Sequence, residues 1–263
     1  MRLRMTAMVA ALVSLPLTGT AAAAAGYPAG YPVKGDGLTA SPLYDKGALP
    51  AVKCEEKPVK ARNRASVRAY VDGVVGCLDA TWEQHLTAAG LPFKKVRVKH
   101  YTRIPKNYCR MDVGKEQSMA LYCSRTSTIA FQIGKDWLDN PYDLWLADMT
   151  AGMYAYHVQN LVGIQEALDK EPYRNKAELA EQVRRASLQS SCLATAFLKS
   201  VWPLDRRTKR DWNDLLSLVQ GDKAGEPRYY GKTGTIKAWM RRGYAQGDPG
   251  ACNTWTASAA QVS

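Results

Sequence analysis

The sequence is poor in histidine: only His85, His100 and His157 occur among its 263 residues. Because histidine is the commonest metal ligand and a frequent acid–base catalyst, this scarcity limits every metal or proton-transfer mechanism. The composition is not that of a disordered or collagen-like chain, since 46% of the residues are apolar. The chain therefore has enough apolar residues to bury one large core or two small ones.

Acidic residues are also few, with 24 Asp and Glu against 36 Lys and Arg, and the formal net charge is +12 at pH 7. The positive residues form runs at Lys94–Lys95 with Arg97, Lys99 and Arg103, at Arg184–Arg185, at Arg206–Arg207 with Lys209–Arg210, and at Arg241–Arg242. Such runs indicate either a polyanionic partner, for example an envelope polymer, or a solvated face that keeps a strand edge from self-pairing. No nucleic-acid-binding module is recognisable, so sequence-specific nucleic-acid binding is not expected.

The first 25 residues have the pattern of a secretory signal peptide. Arg2 and Arg4 precede a short apolar stretch, and Ala21–Ala25 offers an Ala-x-Ala cleavage site before Gly26. The apolar stretch is shorter than the roughly 20 residues that cross a bilayer, and Pro16 interrupts it. We therefore expect a secreted protein, extracellular or associated with the cell wall, with no transmembrane span in the mature chain.

The six cysteines lack the close spacing of a structural zinc site. The shortest separation is that from Cys109 to Cys123, whereas zinc-binding modules need pairs such as Cys-x-x-Cys. In an exported protein an even number of cysteines predicts disulfides, here three, with fifteen possible pairings that spacing alone does not resolve.

Residues 26–50 are rich in Gly, Pro and small polar residues, which predicts a linker before a single domain over residues 51–258. Apolar periodicity predicts helices over 65–89, 140–162 and 176–201, and shorter ones over 207–220 and 234–245. Residues 95–104 alternate as a strand with a cationic outer face, and 121–123 with 128–133 predict a hairpin. The expected fold is a mostly helical α+β domain with a small antiparallel sheet.

Two segments of the predicted helices carry a resemblance. The strings AGMYAYHVQNLVGI at 151–164 and RRASLQSSCLA at 184–194, with the ending WMRRGYAQGDPGACNTW at 239–255, are similar to the neutral zinc metallopeptidase family of secreted or membrane-attached bacterial proteins. The segments at 71–93 and 122–131 extend the likeness over most of residues 54–255. The resemblance implies a zincin-like metallopeptidase fold.

The resemblance also implies where the family's catalytic residues belong, and this chain lacks them. In that family His-Glu-x-x-His precedes His-Val-Gln-Asn: two histidines one turn apart bind zinc, and the Glu is the general base. Aligning this pattern on His157 puts Gly152 and Tyr156 at the two histidine positions and Met153 at the base. Ser187 falls where the family has its third ligand, a Glu.

We therefore expect no catalytic residue, no metal ligand and no cofactor, and a degenerate former site at Gly152, Met153, Tyr156 and Ser187. A bulky side chain such as Tyr154 or Tyr156 is expected to occupy the space beside Gly152. His157, which follows the second ligand in the family, is expected to be packed or hydrogen-bonded beside the former cleft.

The resemblance further implies the disulfides Cys54–Cys77, Cys109–Cys123 and Cys192–Cys252. The function expected from it is that of an inactive peptidase homologue that binds a protein, a peptide or an anionic envelope polymer. The alternative is an active neutral zinc metallopeptidase that hydrolyses peptide bonds with residues the sequence does not reveal.

Overall fold

The computed structural model describes residues 35–204, 206–225 and 227–263. The predicted signal peptide and the beginning of the predicted linker lie outside the described residues. Within the described ranges, no helix has both the length and the apolar content needed to cross a membrane.

Helix α2 forms where the apolar periodicity predicts it. It follows a short helix α1, Asp36–Thr39, and runs over Arg64–Ala88, within one residue of the predicted ends. The side chain of Asn63 accepts a hydrogen bond from the Ser66 amide and so caps the helix. The apolar residues of its stripe, such as Val67, Leu78 and Trp82, are buried in the core.

The sheet has three short strands: β1 Arg97–Tyr101, β2 Met119–Cys123 and β3 Thr128–Gln132. Their order is β1-β3-β2; β2 and β3 form the predicted antiparallel hairpin, but β1 pairs parallel to β3. The sheet is therefore mixed, and the prediction of an antiparallel sheet was wrong. The reason is that the segment between β1 and β2 crosses to the other edge of the sheet. The hairpin then places β3 between β1 and β2, parallel to β1.

Six further α-helices of the described residues complete this part of the chain, in agreement with the predicted mostly helical α+β architecture. They are α3 Lys135–Asp139, α4 Asp143–Leu161, α5 Ile164–Lys170, α6 Lys176–Val201, α7 Lys209–Leu218 and α8 Thr233–Gln246. Helix α4 begins later than predicted because Tyr142, not Asn140, occupies the capping position. The side chain of Asn175 caps α6 through the amides of residues 177 and 178.

Helix α4 lies at the centre of the molecule. It packs against α2, α6 and β2, and most of its side chains are buried. Helix α6 in turn packs along α8, where Gly243 permits close approach: a methyl group there would overlap the Cys192 carbonyl. The α4–α6 pair therefore carries the two segments on which the resemblance rests into the middle of the core.

Residues 35–50, the larger part of the predicted linker, are packed against the rest of the fold. Leu38 and Leu43 are fully buried, the Gly35 amide donates to Glu171, and Asn253 donates to the Thr39 carbonyl. At the other end Val262 is fully buried, so the folded unit continues beyond the predicted limit of residue 258. Gly and Pro in this stretch produce short turns rather than flexible spacing, and the few apolar residues between them supply the packing.

The three cysteine pairs implied by the resemblance are at disulfide distance. The Cα–Cα separations are 5.8 Å for Cys54–Cys77, 5.7 Å for Cys109–Cys123 and 5.4 Å for Cys192–Cys252. No cysteine among the described residues remains free.

Candidate functional site

Tyr156 and Ser187, which the resemblance aligns with the family's second and third zinc ligands, lie side by side between α4 and α6. The Tyr156 hydroxyl donates a hydrogen bond of 3.3 Å to the Ser187 hydroxyl, although the two residues are 31 positions apart. Burial is the largest influence on the Tyr156 hydroxyl and raises its pKa. Tyr156 and Ser187 thus meet as a neutral, hydrogen-bonded pair.

The position of the first ligand lies on the same side of α4. The Ser190 hydroxyl of α6 donates to the Gly152 carbonyl at 2.7 Å, one helical turn before Tyr156. We call this interface the α4–α6 seam; its members are Gly152, Tyr156 and Gln159 of α4 and Ser187, Gln189 and Ser190 of α6. Gln159 continues it with an amide hydrogen bond of 3.0 Å to Gln189.

Met153, at the position of the family's general base, is 2% exposed and packs in the main core. Its thioether is apolar and takes up no proton, so it has no acid–base role. Met153 therefore contributes to packing.

The residues of the seam do not fit a zinc ion. Gly152 has no side chain, and neutral hydroxyls such as those of Tyr156 and Ser187 are weak zinc ligands beside imidazole or carboxylate. Across the described parts of the chain, no three His, Cys, Asp or Glu side chains are grouped so that they could hold a metal ion. The side chains of the seam therefore do not form a zinc-binding set.

His157 is packed and hydrogen-bonded beside the seam. It is fully buried; Nδ1 lies 2.9 Å from the Tyr122 hydroxyl and Nε2 lies 2.6 Å from the Lys94 carbonyl. Burial lowers the pKa of His157, so the neutral ring donates from Nε2 to the carbonyl and accepts from Tyr122 at Nδ1. Both nitrogens serve to join α4 to β2 and to the segment before β1.

The two tyrosines near Gly152 point in different directions. The Tyr154 hydroxyl donates to Asp79 of α2 at 2.7 Å, and its ring contacts His157 edge to face. Tyr154 is therefore directed away from α6. Of the two side chains expected beside Gly152, only Tyr156 reaches the seam.

Asp148 is the one carboxylate in the α4 row that also contains Gly152 and Tyr156, at intervals of four residues. Its side chain is buried, burial raises its pKa to about 7, and Oδ1 has no hydrogen-bond partner among the described residues. His157 is directed to Tyr122 and Lys94, so the two residues do not form a common site.

The serines of α6 lack the neighbours that a nucleophile requires. Ser187 donates to the Val183 carbonyl at 3.1 Å and Ser190 to Gly152. Neither hydroxyl is hydrogen-bonded to a histidine or a carboxylate in the described structure, so no general base is in place to activate either one.

One extension of the seam was not found from the sequence. The Gln189 amide donates to the Tyr44 hydroxyl at 2.7 Å, so a polar chain runs from Gln159 through Gln189 to the N-terminal segment. Tyr44 lies in the stretch that composition assigned to a linker. The sequence gives no indication of this contact, because Tyr44 is an isolated tyrosine outside any periodic apolar pattern.

Part of the predicted basic surface is buried. Arg185 is fully buried and pairs with Glu181 at 2.7 Å, while Arg184 donates to backbone carbonyls. Arg207 pairs with Glu56 and Asp143. These cations stabilise the fold, and the Arg184–Arg185 run is buried, so it belongs neither to a solvated face nor to an open binding surface. Arg97, Lys99 and Arg103 are exposed.

Comparison with known proteins gives distant relatives without a described activity. The chain is 22% identical over 211 residues to the uncharacterized protein YpfJ of Escherichia coli strain K12, with 73% of each chain covered. The same values hold for the uncharacterized YpfJ of E. coli O6:H1 strain CFT073. No family model and no solved structure matches the chain at the significance required.

Proposed function

We propose that this chain is a secreted, catalytically inactive homologue of the neutral zinc metallopeptidases that acts by binding a protein, a peptide or an anionic envelope polymer. The observation that carries the proposal is the Tyr156–Ser187 hydrogen bond. It joins the two residues that the resemblance aligns with the family's second and third zinc ligands. Such a contact is expected if the fold is kept while the ligands are lost.

The surrounding residues support binding rather than catalysis. Met153 belongs to the core, His157 uses both ring nitrogens in the scaffold, and the α6 serines donate to backbone carbonyls. A hydrolase needs a base that takes up a proton near its nucleophile, and the seam offers none in place. The three cysteine pairs support export, because disulfides persist outside the reducing cytosol.

Metal analysis of the purified full chain tests this proposal. We expect zinc far below one equivalent, no hydrolysis of a casein substrate, and no change in thermal stability on adding a chelator. Near-stoichiometric zinc with chelator-sensitive proteolysis would overturn the proposal and favour the active-peptidase alternative.

Restoring the ligands tests the assignment of the seam. The combined substitution Gly152→His, Met153→Glu, Tyr156→His and Ser187→Glu should give zinc affinity, since the 156 and 187 side chains already meet. The matched control omits Met153→Glu: it should bind zinc but not hydrolyse casein, because the general base is missing.

Circular dichroism and thiol titration establish that each variant is folded and oxidised. If the combined variant does not fold, the pair Tyr156→His and Ser187→Glu should still raise zinc affinity above that of the unaltered chain. Folded variants without any gain in zinc affinity would refute the assignment of these residues.

A further inference from the structure

The outer face of the sheet is only partly covered. Because paired residues share a face, Arg97, Lys99 and Tyr101 of β1 lie on the same side as Met119 and Leu121 of β2. The segment after β1 folds back over this side, where Ile104, Met111 and Val113 form a small apolar cluster with residues of β2 and β3. Arg97 and Lys99 remain exposed beside that cluster.

This exposed strip is strongly cationic. Residues 84–111 contain no Asp or Glu, but they contain Lys94, Lys95, Arg97, Lys99, Arg103, Lys106 and Arg110. Lys95 has a partner in Glu83 at 4.0 Å. Over the described residues, Lys99 and Arg103 have no carboxylate within ion-pair distance, and Arg97 donates to the Thr126 carbonyl.

The backbone of β1 adds a second, independent feature. The Arg97 amide donates to the Ser127 carbonyl at 2.8 Å, toward β3. Since backbone groups alternate in direction along a strand, the amides and carbonyls of Val98 and His100 point to the opposite edge. In the part of the chain that the structure describes, no backbone or side-chain group is hydrogen-bonded to them.

The inner face of β1 is occupied by the fold itself. Val98 packs against the main core, and His100 stacks on Phe131 and contacts Asp72 at 2.8 Å. Asp72 thus meets His100 on the side of α2, away from the exposed cations. A strand added at this edge would meet positive charge on the outer side.

We propose that β1 is the docking edge for an extended acidic peptide segment of a partner protein, which adds as a fourth strand beside β1. The partner's backbone would pair with Val98 and His100, and its Asp or Glu residues, two positions apart, would meet Arg97 and Lys99. An acidic peptide satisfies both the unpaired backbone and the charges, whereas a non-peptide polyanion satisfies only the charges. The inference rests on the proposed binding function and names its partner class.

A labelled peptide of alternating Glu and Thr tests the docking edge by fluorescence anisotropy against the full chain. A block peptide of the same composition, and an alternating peptide with methylated backbone nitrogens, are the peptide controls. We expect the alternating peptide to bind at least about tenfold more tightly than either control, because only it matches both spacing and hydrogen bonding.

Charge reversal on the protein provides the matched variants. The double variant Arg97→Glu with Lys99→Glu should weaken peptide binding at least about tenfold. The control is Lys209→Glu with Arg241→Glu, which makes the same charge change at exposed residues elsewhere. This control should change the affinity less than about twofold. Val98→Pro removes an outward amide at an edge, together with the Val98 side-chain contact to the core, and it should weaken binding although the charges remain. Circular dichroism checks that each variant is folded, and the methylated peptide tests the edge without any protein variant.

Three outcomes would overturn this inference. Equal binding of the alternating, block and methylated peptides would indicate unspecific charge attraction. Equally tight, Arg97- and Lys99-dependent binding of polyphosphate or heparin would indicate a non-peptide polyanion. If nothing binds, the cations serve only to keep the edge from self-pairing. The zinc and hydrolysis measurements are independent of these peptides, so a failure of either proposal is recognised separately.

Discussion

At the scale of single residues, Asp148 should make stability depend on pH. Burial raises its pKa from 3.8 to about 7, so the folded protein holds a proton that the unfolded chain has released. The stabilising contribution is complete below about pH 4 and is lost as the pH rises toward 7. The free energy of unfolding should fall by at most about 1.4 kcal/mol per pH unit in this window.

Asp148→Asn should remove this dependence, since the amide stays neutral at every pH. Urea unfolding of the unaltered chain and the variant at several pH values between 4 and 7.5 measures the difference. Asp45→Asn, at an exposed position, is the control and should follow the unaltered chain. Parallel pH curves for the Asp148 variant and the unaltered chain would contradict the prediction.

The three histidines illustrate how far single residues can be interpreted from sequence. The scarcity of histidine limits the zinc sites that the chain could form, and the alignment on His157 indicates which positions to compare. It does not reveal that His157 binds Tyr122 and Lys94, that His100 meets Asp72, or that His85 is buried beside Trp82. Those partners come from other elements, and their proximity depends on the tertiary fold.

At the scale of helices and strands, Arg207 connects three elements. Its guanidinium pairs with Glu56 at 2.9 Å and with Asp143 at the start of α4 at 2.7 Å, and the Tyr70 hydroxyl of α2 donates to the same Glu56. Arg207 lies just before α7. It therefore connects α7 to α4 directly through Asp143, and to α2 through Glu56 and Tyr70.

Arg207→Met should lower the free energy of unfolding by about 1.5–3 kcal/mol, because the partly buried Glu56 and Asp143 would lose the charged hydrogen bonds from the guanidinium. Arg210→Met provides the matched control: Arg210 is exposed and 3.8 Å from Asp214, and its loss should cost less than about 1 kcal/mol. Guanidinium chloride unfolding of the two variants measures both values. Similar losses in the two variants would show that Arg207 is no more than a surface ion pair.

The five helices predicted from periodicity lie within a few residues of their predicted ends, but the short helices α1, α3 and α5 and the direction of β1 were not predicted. A helix is specified by its own apolar periodicity and its ends, as in α2 and α6. The alternation of side chains, by contrast, is the same in parallel and antiparallel strand pairs. The pattern of residues 95–104 therefore does not indicate which strand β1 pairs with or in which direction. The edge at Val98 and His100 follows from that pairing and was equally inaccessible from sequence.

At the scale of the whole molecule, the Cys192–Cys252 disulfide should matter more to stability than the Cys109–Cys123 disulfide. The first closes a loop of 60 positions and the second a loop of 14. Because a longer loop removes more entropy from the unfolded chain, the expected losses are about 4 and about 3 kcal/mol.

The double substitutions Cys192→Ala with Cys252→Ala, and Cys109→Ala with Cys123→Ala, test this order in thermal and urea unfolding. Alanine is chosen because Cys192 and Cys252 are fully buried and an unpaired hydroxyl there would add a separate cost. A larger loss for the Cys109–Cys123 variant would contradict the expected order.

Composition alone does not reveal that residues 35–50 belong to the folded unit. The Gly- and Pro-rich stretch up to residue 50 has no periodicity, but Leu38 and Leu43 fill fully buried positions and Tyr44 reaches Gln189. Such packing depends on a few apolar residues between turns, and it becomes visible only when the surfaces they cover are known. For Tyr156 and Ser187 the resemblance assigned the two residues to one site, but their hydrogen bond is visible only in the folded structure.

The Cys192–Cys252 bond also determines what a protease would do to this chain. Among the described residues between α7 and α8, 219–225 and 227–232, the backbone forms neither helix nor strand, and Lys223 and Arg228 are exposed there. Both ends of that stretch lie inside the disulfide-closed loop. Trypsin cleavage at either residue would leave two polypeptides joined covalently, visible as separate bands only after reduction, so that a protein exposed to extracellular proteases would survive a cut as a single particle.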